Sequence, residues 1–224
     1  MTASDGENRI AFIRTHTVLR SPPIVPELRL HLAGEVMGLW GETEALSASL
    51  KSGVLDLPPP YWAFAWPGGQ ALARYLLDHP GEVAGNTVLD FGSGSGLVAI
   101  AAAKAGASPV LASDIDPLAF AAIELNAAAN AVFVEQIEHD IIGTNGRWDM
   151  ILAGDMCYER PLAERLLIWL RELAGRGARV LLGDPGRNYF PAGGVERLAT
   201  YAVPTSRDLE DREMREASVY MLLP

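Results

Sequence analysis

Short apolar runs and longer helical stretches alternate along the chain from Thr87 onward. The apolar runs have the length of strands buried on both faces, and the longer stretches have the length of helices. The predicted strands span residues 87–91, 109–114, 134–138, 148–154 and 178–183. The predicted helices span residues 69–78, 96–105, 117–130 and 161–175. Such alternation predicts a parallel sheet that is covered by helices on both faces.

The hydrophobic pattern changes near the C-terminus. Tyr201–Val203 and Ala217–Leu223 are two further apolar stretches, and a charged loop rather than a helix separates them. We expect a hairpin at the edge of the sheet, with the last strand antiparallel. The predicted fold is therefore α/β: a Rossmann-like, doubly wound, seven-stranded sheet that is mostly parallel and has an antiparallel C-terminal edge strand.

Residues 1–60 are predicted to form an N-terminal extension, a candidate region for docking a substrate. Within it, Ile10–Ile13 and Leu28–Leu32 are predicted strands, and Glu42–Lys51 is a predicted short helix. Residues 61–224 are predicted to form one α/β domain.

Composition places the chain among globular proteins. Hydrophobic residues make up 49% of the 224 residues, which is enough for a full core. The formal net charge of -10 argues against a nucleic-acid backbone as the main partner, because phosphates bind basic surfaces. A single cysteine, Cys157, excludes an intrachain disulfide. The four histidines have no metal-ligand spacing, so no metal site is expected.

The N-terminus lacks the pattern of a targeting segment. It carries Asp5 and Glu7, and no long apolar run follows basic residues. No apolar segment reaches the length of a membrane span. Arginine far outnumbers lysine, which is typical of a GC-rich bacterial genome. We therefore expect a cytoplasmic protein with no membrane partner. We also expect a monomer, because no long exposed apolar helix stands out.

A glycine-rich turn follows the first predicted strand, in the segment Val88-Leu-Asp-Phe-Gly-Ser-Gly-Ser-Gly96. Gly92 and Gly94 let the backbone turn tightly and approach a ligand closely. The dinucleotide fingerprint G-x-G-x-x-G would need glycine at position 97, where this chain has leucine. Asp90, just before the turn, repels a pyrophosphate and attracts the cationic amino-acid end of a ligand. This combination favours S-adenosylmethionine over NAD or a nucleoside triphosphate.

Carboxylates also follow the next two predicted strands. Asp114 lies close to the spacing at which an acid at a strand end accepts hydrogen bonds from a ribose. Asp116 precedes Pro117, a pair typical of a helix N-cap and first turn. Asp140 could accept from the exocyclic amine of an adenine. The alternative for each of these acids is a cap or a loop position without a ligand.

Asp155 and Tyr158 follow the fourth predicted strand and are candidates for binding an acceptor. Asp155 could hold an ammonium group, and the Tyr158 hydroxyl could orient it. The alternative is a capping aspartate and a packed tyrosine. Cys157 is interpreted as a packing residue, because no histidine is placed to activate a thiol.

The segment Trp62-Ala-Phe-Ala-Trp66 is unusually aromatic. Aromatic faces attract sulfonium and ammonium cations, so the segment could line the pocket. Trp62 and Phe64 fit a role in the core equally well. Trp66 and Gln70, beside a Pro-Gly-Gly turn, are better placed to reach a cofactor.

These motifs together resemble those of class I seven-strand methyltransferases. More narrowly, the chain is similar to the protein-lysine methyltransferases that act on the β subunit of electron transfer flavoprotein. The matching motifs are Trp62-Ala-Phe-Ala-Trp-Pro-Gly-Gly-Gln-Ala-Leu72, Leu89-Asp-Phe-Gly-Ser-Gly-Ser-Gly96, Ser113-Asp-Ile-Asp-Pro117, Asp155-Met-Cys-Tyr158 and Gly183-Asp-Pro-Gly-Arg187. The glycine motif specifies only the superfamily, and the aromatic segment with Asp-x-x-Tyr narrows the family.

The resemblance implies an S-adenosylmethionine cofactor and a lysine acceptor on a folded protein. That protein would be the flavoprotein β subunit or, in bacterial relatives, a ribosomal stalk protein. The predicted cofactor contacts are Trp66, Gln70, Asp90, Gly92, Ser93, Gly94, Asp114, Ile115 and Asp140. The predicted catalytic pair is Asp155 and Tyr158.

Other activities stay open from the sequence. A methyltransferase for a small amine or a nucleic acid is one alternative. Adenine amino-methylation usually needs an Asn/Asp-Pro-Pro-aromatic motif, and Met156 and Cys157 stand in its place. A non-catalytic cofactor-binding partner protein is another alternative, against which the Asp155 and Tyr158 pair argues. A nicotinamide oxidoreductase is the last, and Leu97 argues against it.

Overall fold

The computed structural model describes residues 3–34, 38–39, 41–43 and 58–224. The strands are β1 Val18–Arg20, β2 Leu30–Leu32, β3 Val88–Phe91, β4 Val110–Ser113, β5 Glu135–Ile137, β6 Met150–Gly154, β7 Arg179–Asp184, β8 Val195–Pro204 and β9 Met214–Leu222. The α-helices span Ala3–His16, Pro67–Asp78, Leu97–Lys104, Pro117–Ala129, Arg160–Gly175 and Arg207–Glu210.

Seven strands form one sheet in the order β5-β4-β3-β6-β7-β9-β8. The strands from β5 to β7 are parallel, and β9 is antiparallel to both β7 and β8. This confirms the predicted α/β fold with its antiparallel C-terminal hairpin. The hairpin strands are longer than predicted, and β8 rather than the last strand forms the edge.

Alternate residues of the central strands enter hydrophobic layers on opposite faces of the sheet. Val88 and Leu152 pack in the layer that contains the helices Pro67–Asp78 and Leu97–Lys104. Leu89 and Ile151 pack in the opposite layer, which contains the apolar side of the helix Arg160–Gly175. Alternate burial of this kind fixes the strand register. The chain reverses its direction across the sheet beside β3, where a doubly wound sheet opens a crevice at the strand ends.

The N-terminal region differs from the prediction at its beginning. Ile10–Ile13, predicted as a strand, lies within the helix Ala3–His16. The two isoleucines are three residues apart, so they share a helix face, and Ile13 is fully buried. Leu28–Leu32 is confirmed in part, because Leu30–Leu32 pairs with β1. Of the predicted helix Glu42–Lys51, only residues 42–43 are described, and the rest lies outside the described residues.

Two buried asparagines attach the N-terminal region to the α/β domain. Asn126 accepts a hydrogen bond from the backbone N–H of His31 at 2.7 Å and donates to the Ser95 carbonyl at 2.8 Å. Asn130 exchanges two hydrogen bonds with the backbone of Arg29. The β1–β2 hairpin is therefore tied to the helix Pro117–Ala129 and, through Ser95, to the glycine turn.

Glycines allow the helix Pro67–Asp78 to meet the sheet without intervening side chains. A Cβ atom on Gly68 would lie 2.6 Å from Asp155 Oδ2 and 2.7 Å from the Gly183 carbonyl carbon. A Cβ atom on Gly154 would lie 2.8 Å from Gly69 Cα. Because these positions have no side chains, the first turn of the helix reaches the ends of β6 and β7. None of the described helices is long and apolar enough to cross a membrane.

Candidate active site

A cavity of about 430 Å³ opens at the carboxyl ends of the parallel strands. Its volume lies within the range of small-molecule sites. The predicted residues that line it are Trp66, Asp90, Gly92, Ser93, Gly94, Asp114, Ile115, Asp140, Asp155 and Tyr158. The strand-end residues singled out from the sequence are thus brought to one place.

The glycine turn after β3 needs its glycines for two different reasons. Gly92, Gly94 and Gly96 have φ values of 65°, 54° and 80°, which residues with side chains rarely adopt. At Gly92 a Cβ atom would also lie 2.6 Å from Met156 Cε, so the Met156 side chain would have to move. The turn therefore forms the floor of the cavity with its backbone exposed to a ligand.

Asp90 lies beneath this turn and is almost fully buried. Its carboxylate accepts from the Ser93 hydroxyl at 2.5 Å and from the Ala99 backbone N–H at 3.0 Å. Burial raises the pKa of Asp90 to about 7 despite these two hydrogen bonds. A cationic group that entered the cavity would favour the ionised carboxylate.

Asp114 connects the end of β4 to the glycine turn. One carboxylate oxygen accepts from the Gly94 N–H at 2.8 Å, and the other accepts from the Ile115 and Asp116 N–H groups. Ile115 is 69% exposed, at the rim of the cavity. Asp116 caps the helix Pro117–Ala129 through the Leu118 N–H, as predicted, and also lines the cavity.

Asp140 lines the cavity and is already paired with protein groups. Its carboxylate accepts from Arg165 Nη2 at 2.8 Å and from the Ile142 N–H at 2.9 Å. Arg165, on the helix Arg160–Gly175, also lines the cavity. An adenine amine would therefore share Asp140 with this arginine.

Gln70 departs from the prediction, because it is not among the residues that line the cavity. Its side chain is buried, donates to the Ala65 carbonyl at 2.7 Å and accepts from the Ile24 N–H at 3.4 Å. Gln70 follows Gly69 on a helix, so its side chain leaves the axis in another direction. It joins the N-terminal region to the helix Pro67–Asp78 and does not reach the predicted cofactor site.

Asp155 has an uncommon backbone conformation, and its carboxylate accepts three hydrogen bonds. Its φ is 58°, and left-handed non-glycine residues occur often at functional sites. Oδ2 accepts from the Gly69 N–H at 2.8 Å. Oδ1 accepts from Arg187 Nη2 at 2.7 Å and from Nε at 3.1 Å. Burial raises the pKa of Asp155, and Arg187 opposes that effect.

Tyr158 is 40% exposed at the cavity mouth. Its ring centroid lies 5.5 Å from that of Tyr61. Burial of part of the side chain raises the pKa of Tyr158 to about 12, so the hydroxyl stays protonated near neutral pH. Cys157 is buried, and its pKa is raised to about 12 by the same cause, which fits packing rather than nucleophilic chemistry.

The aromatic segment contributes both to the core and to the cavity. Trp62 and Phe64 are buried in the hydrophobic cluster around Leu118, and both also line the cavity. The Trp66 ring lies 5.6 Å from the guanidinium carbon of Arg187, within the range of a cation–π contact. The two interpretations of Trp62 and Phe64 are thus compatible.

Known proteins of one family match nearly the whole chain. The electron transfer flavoprotein beta subunit lysine methyltransferase of Xenopus laevis is 41% identical over 96% of this chain and 87% of its own. The human protein of that description is 38% identical over 96% of this chain and 82% of its own. The chain belongs to this family. The resemblance that the sequence motifs indicated is confirmed.

Two further comparisons concern a part of the chain and its fold. The model of the ribosomal protein L11 methyltransferase family matches residues 71–156. A crystal structure of magnesium protoporphyrin IX methyltransferase from Synechocystis with bound SAH aligns with a TM-score of 0.53. It is 17% identical and covers 82% of this chain and 94% of its own, so it supports the fold alone. Within the described part of the chain, no cluster of side chains is arranged to bind a metal.

The ion-pair partners of the predicted acids were not predicted from the sequence. Arg165, Arg187 and Glu210 contact those acids or each other through ion pairs. Arg187 did stand in the matched Gly-Asp-Pro-Gly-Arg motif, which was the one available signal. Glu210 ends the short helix Arg207–Glu210, within a stretch predicted as a charged loop, and nothing in that sequence distinguishes a buried acid from exposed ones.

Proposed function

We propose that the protein transfers a methyl group from S-adenosylmethionine to lysine side chains of the electron transfer flavoprotein β subunit. The observation that carries this proposal is the placement of Asp155 and Tyr158 on the same cavity as the glycine turn. Relatives named for this reaction match nearly the full chain, which supports the choice of acceptor.

The residues around the glycine turn fit S-adenosylmethionine. The ionised form of Asp90 would attract the cationic amino-acid end, and the bare backbone at Gly92 and Gly94 would admit it. Asp114, already held by three backbone N–H groups, would accept from the ribose hydroxyls. When bound, the cofactor supplies an electrophilic methyl group on a sulfonium centre.

The acceptor lysine would enter between Asp155 and Tyr158. A carboxylate has about four acceptor positions, and hydrogen bonds from Gly69 and Arg187 occupy three of those on Asp155. The remaining position would hold the lysine ammonium. Once that ammonium has released a proton to water at the cavity mouth, Asp155 would keep the lone pair of the neutral amine directed at the methyl group. Because its pKa is about 12, Tyr158 would orient the amine through a hydrogen bond and would not act as a base near neutral pH.

Intact-mass spectrometry tests this function directly. Purified flavoprotein β subunit is incubated with this protein and S-adenosylmethionine, and peptides then locate any modification. Mass gains in steps of one methyl group on lysine are expected. No gain, with cofactor binding established separately by calorimetry, would refute this acceptor.

A ribosomal protein is the second candidate acceptor, because residues 71–156 match the ribosomal protein L11 methyltransferase model. Incubation with purified ribosomal L11 and stalk proteins under the same conditions tests it. Cytoplasmic localisation and a monomeric state stay predictions; cell fractionation and size-exclusion chromatography would check them.

A further inference from the structure

A chain of four buried or half-buried charges begins with Asp155 and Arg187, which line the cavity, and continues to Glu210 and Arg215, which do not. Arg187 donates to Asp155 and also to Glu210, through Nη2 at 2.5 Å and Nη1 at 3.2 Å. Arg215 Nε donates to the other side of Glu210 at 3.1 Å. The Glu210 side chain is only 2% exposed. Glu210 does not line the cavity, so any influence on the reaction passes through Arg187.

Arg187 contacts its two acids in different ways. It presents Nη1 and Nη2 to the two oxygens of Glu210, which is the geometry of a paired fork. It presents Nε and Nη2 to a single oxygen of Asp155, Oδ1. Among the described residues, the second oxygen of Asp155, Oδ2, accepts from the Gly69 N–H alone. Glu210 takes up the part of the guanidinium that could otherwise span both oxygens of Asp155.

Stability alone does not account for this arrangement. Buried charges lose hydration, and apolar residues of similar volume often stabilise a fold as well or better. Two other contacts fix the positions of the charges. Asp184 accepts from the Gly186 and Arg187 N–H groups at 2.7 Å each and so shapes the turn that carries Arg187. Leu209, next to Glu210, packs against the cluster that contains Trp62 and Phe64.

We propose that Glu210 is a positioning residue for methyl transfer: it keeps Arg187 on one oxygen of Asp155 and leaves the other open to the substrate ammonium. The inference rests on the proposed function, because it assumes that Asp155 holds the amine. Without the Glu210 charge, Nη1 and Nη2 of Arg187 would turn to the two oxygens of Asp155. Nε would then lose its bond to Asp155, and the guanidinium would compete with the incoming lysine.

Steady-state kinetics with the flavoprotein β subunit test the consequence. Glu210→Gln should lower kcat by about 10- to 100-fold, the range expected for a misplaced reacting group. The affinity for S-adenosylmethionine should change less than about twofold, because Glu210 touches none of the cofactor site. Glu213→Gln, three residues further along the chain, is the matched control, since its ion pair with Arg207 is 75% exposed on both sides. It should behave as the wild type.

A double-mutant cycle separates positioning from simple loss of structure. In an Arg187→Gln background, Glu210→Gln should lower kcat by less than about threefold, because the intermediary is already gone. Equal losses in both backgrounds would overturn the proposal, and so would a loss of cofactor affinity as large as the loss of rate. If Glu210→Gln does not fold, Glu210→Asp is compared with Glu213→Asp in the same cycle, with the same criteria.

Nitrogen-15 NMR of the arginine side chains tests the arrangement without any substrate. The Arg187 Nε–H signal, assigned by its absence in Arg187→Lys, should exchange slowly with water because it is bonded to Asp155. Glu210→Gln should speed this exchange at least about tenfold, since the guanidinium reorients. Unchanged exchange would overturn the inference. If the wild type methylates no flavoprotein while the exchange depends on Glu210, the acceptor is wrong and the arrangement stands.

Discussion

Gly68 packs closely against the ends of β6 and β7, so a methyl group added at this position should lower both stability and activity. In Gly68→Ala, the new Cβ atom would lie 2.6 Å from Asp155 Oδ2, whereas ordinary contacts begin at 3.4 Å. The helix Pro67–Asp78 must therefore move by about 1 Å. Overpacking of this kind costs about 1–3 kcal/mol. The gain in helix propensity offsets at most about 1 kcal/mol of that cost.

The same movement should impair the reaction more than it impairs folding. It stretches the 2.8 Å hydrogen bond from the Gly69 N–H to Asp155, and this bond orients the carboxylate. A displacement of about 1 Å at a reacting group lowers the rate by about 100-fold. We expect a loss of kcat of this size, together with a fall in Tm of roughly 2–10 °C for a domain of this length.

Gly69→Ala is the matched control for this experiment. It lies on the same helix and gains the same propensity, but its Cβ atom would meet Leu97 at an unstrained 3.8 Å. Thermal denaturation without cofactor and a methyl-transfer assay on the flavoprotein β subunit measure both variants. If Gly68→Ala matches Gly69→Ala in Tm and kcat, the close contact does not position Asp155 and the reasoning is refuted.

Three further predictions concern the cofactor and acceptor residues. Asp155→Ala should retain S-adenosylmethionine binding in calorimetry and lose methyl transfer by at least about 100-fold; normal turnover would remove Asp155 from the mechanism. Gly94→Val should abolish cofactor binding, because a β-branched residue is strained at a φ of 54° and its methyl groups would extend beyond a Cβ atom that already contacts the Trp62 backbone at 3.6 Å; unchanged affinity in a folded variant would place the site elsewhere. Because burial raises the pKa of Asp90 to about 7, affinity for the cationic end of the cofactor should rise between about pH 6 and pH 8. Asp90→Asn should remove this trend, and a pH-independent wild type would contradict the role. Because the pKa of Asp90 is higher in the folded than in the unfolded protein, the protonated carboxyl stabilises the cofactor-free fold. This stabilisation is complete below the ordinary aspartate pKa of about 3.9 and is lost as pH rises through about 7.

The central sheet could be predicted because the length and apolar composition of its strands fit few arrangements other than a parallel sheet. The strands β3, β4, β6 and β7 are short, mostly apolar and followed by glycine, proline or acidic residues, and such segments are buried in parallel sheets. The edge strand β5 is mostly polar and exposed or half-buried. The acids at the strand ends follow from the fold, since the carboxyl ends of parallel strands share one edge. The placement of Asp90, Asp114 and Asp155 on one cavity needed no further information.

The remaining features depend on contacts between residues far apart in the chain. Ile10–Ile13 is compatible with a strand or a helix over so short a stretch, and the packing of Ile13 against Leu118 and Ala122 accompanies the helix. Gln70 lies near the expected ligand in sequence but faces Ile24 in space. The ion pairs of Arg187 join segments that only the finished sheet brings together, so no local pattern reports them.

The amide of Asn126 has a consequence for how the chain can be shortened. It contacts the N-terminal hairpin with its oxygen and the glycine turn with its nitrogen, and no part of it is exposed. A fragment that begins at residue 61 would leave that oxygen without its protein donor and would uncover Leu118 and Ala122, which share a hydrophobic cluster with Ile13 and Ala33. The β1–β2 hairpin therefore helps to hold the glycine turn in place through Asn126, and a catalyst cut at residue 61 would be expected to bind its cofactor poorly.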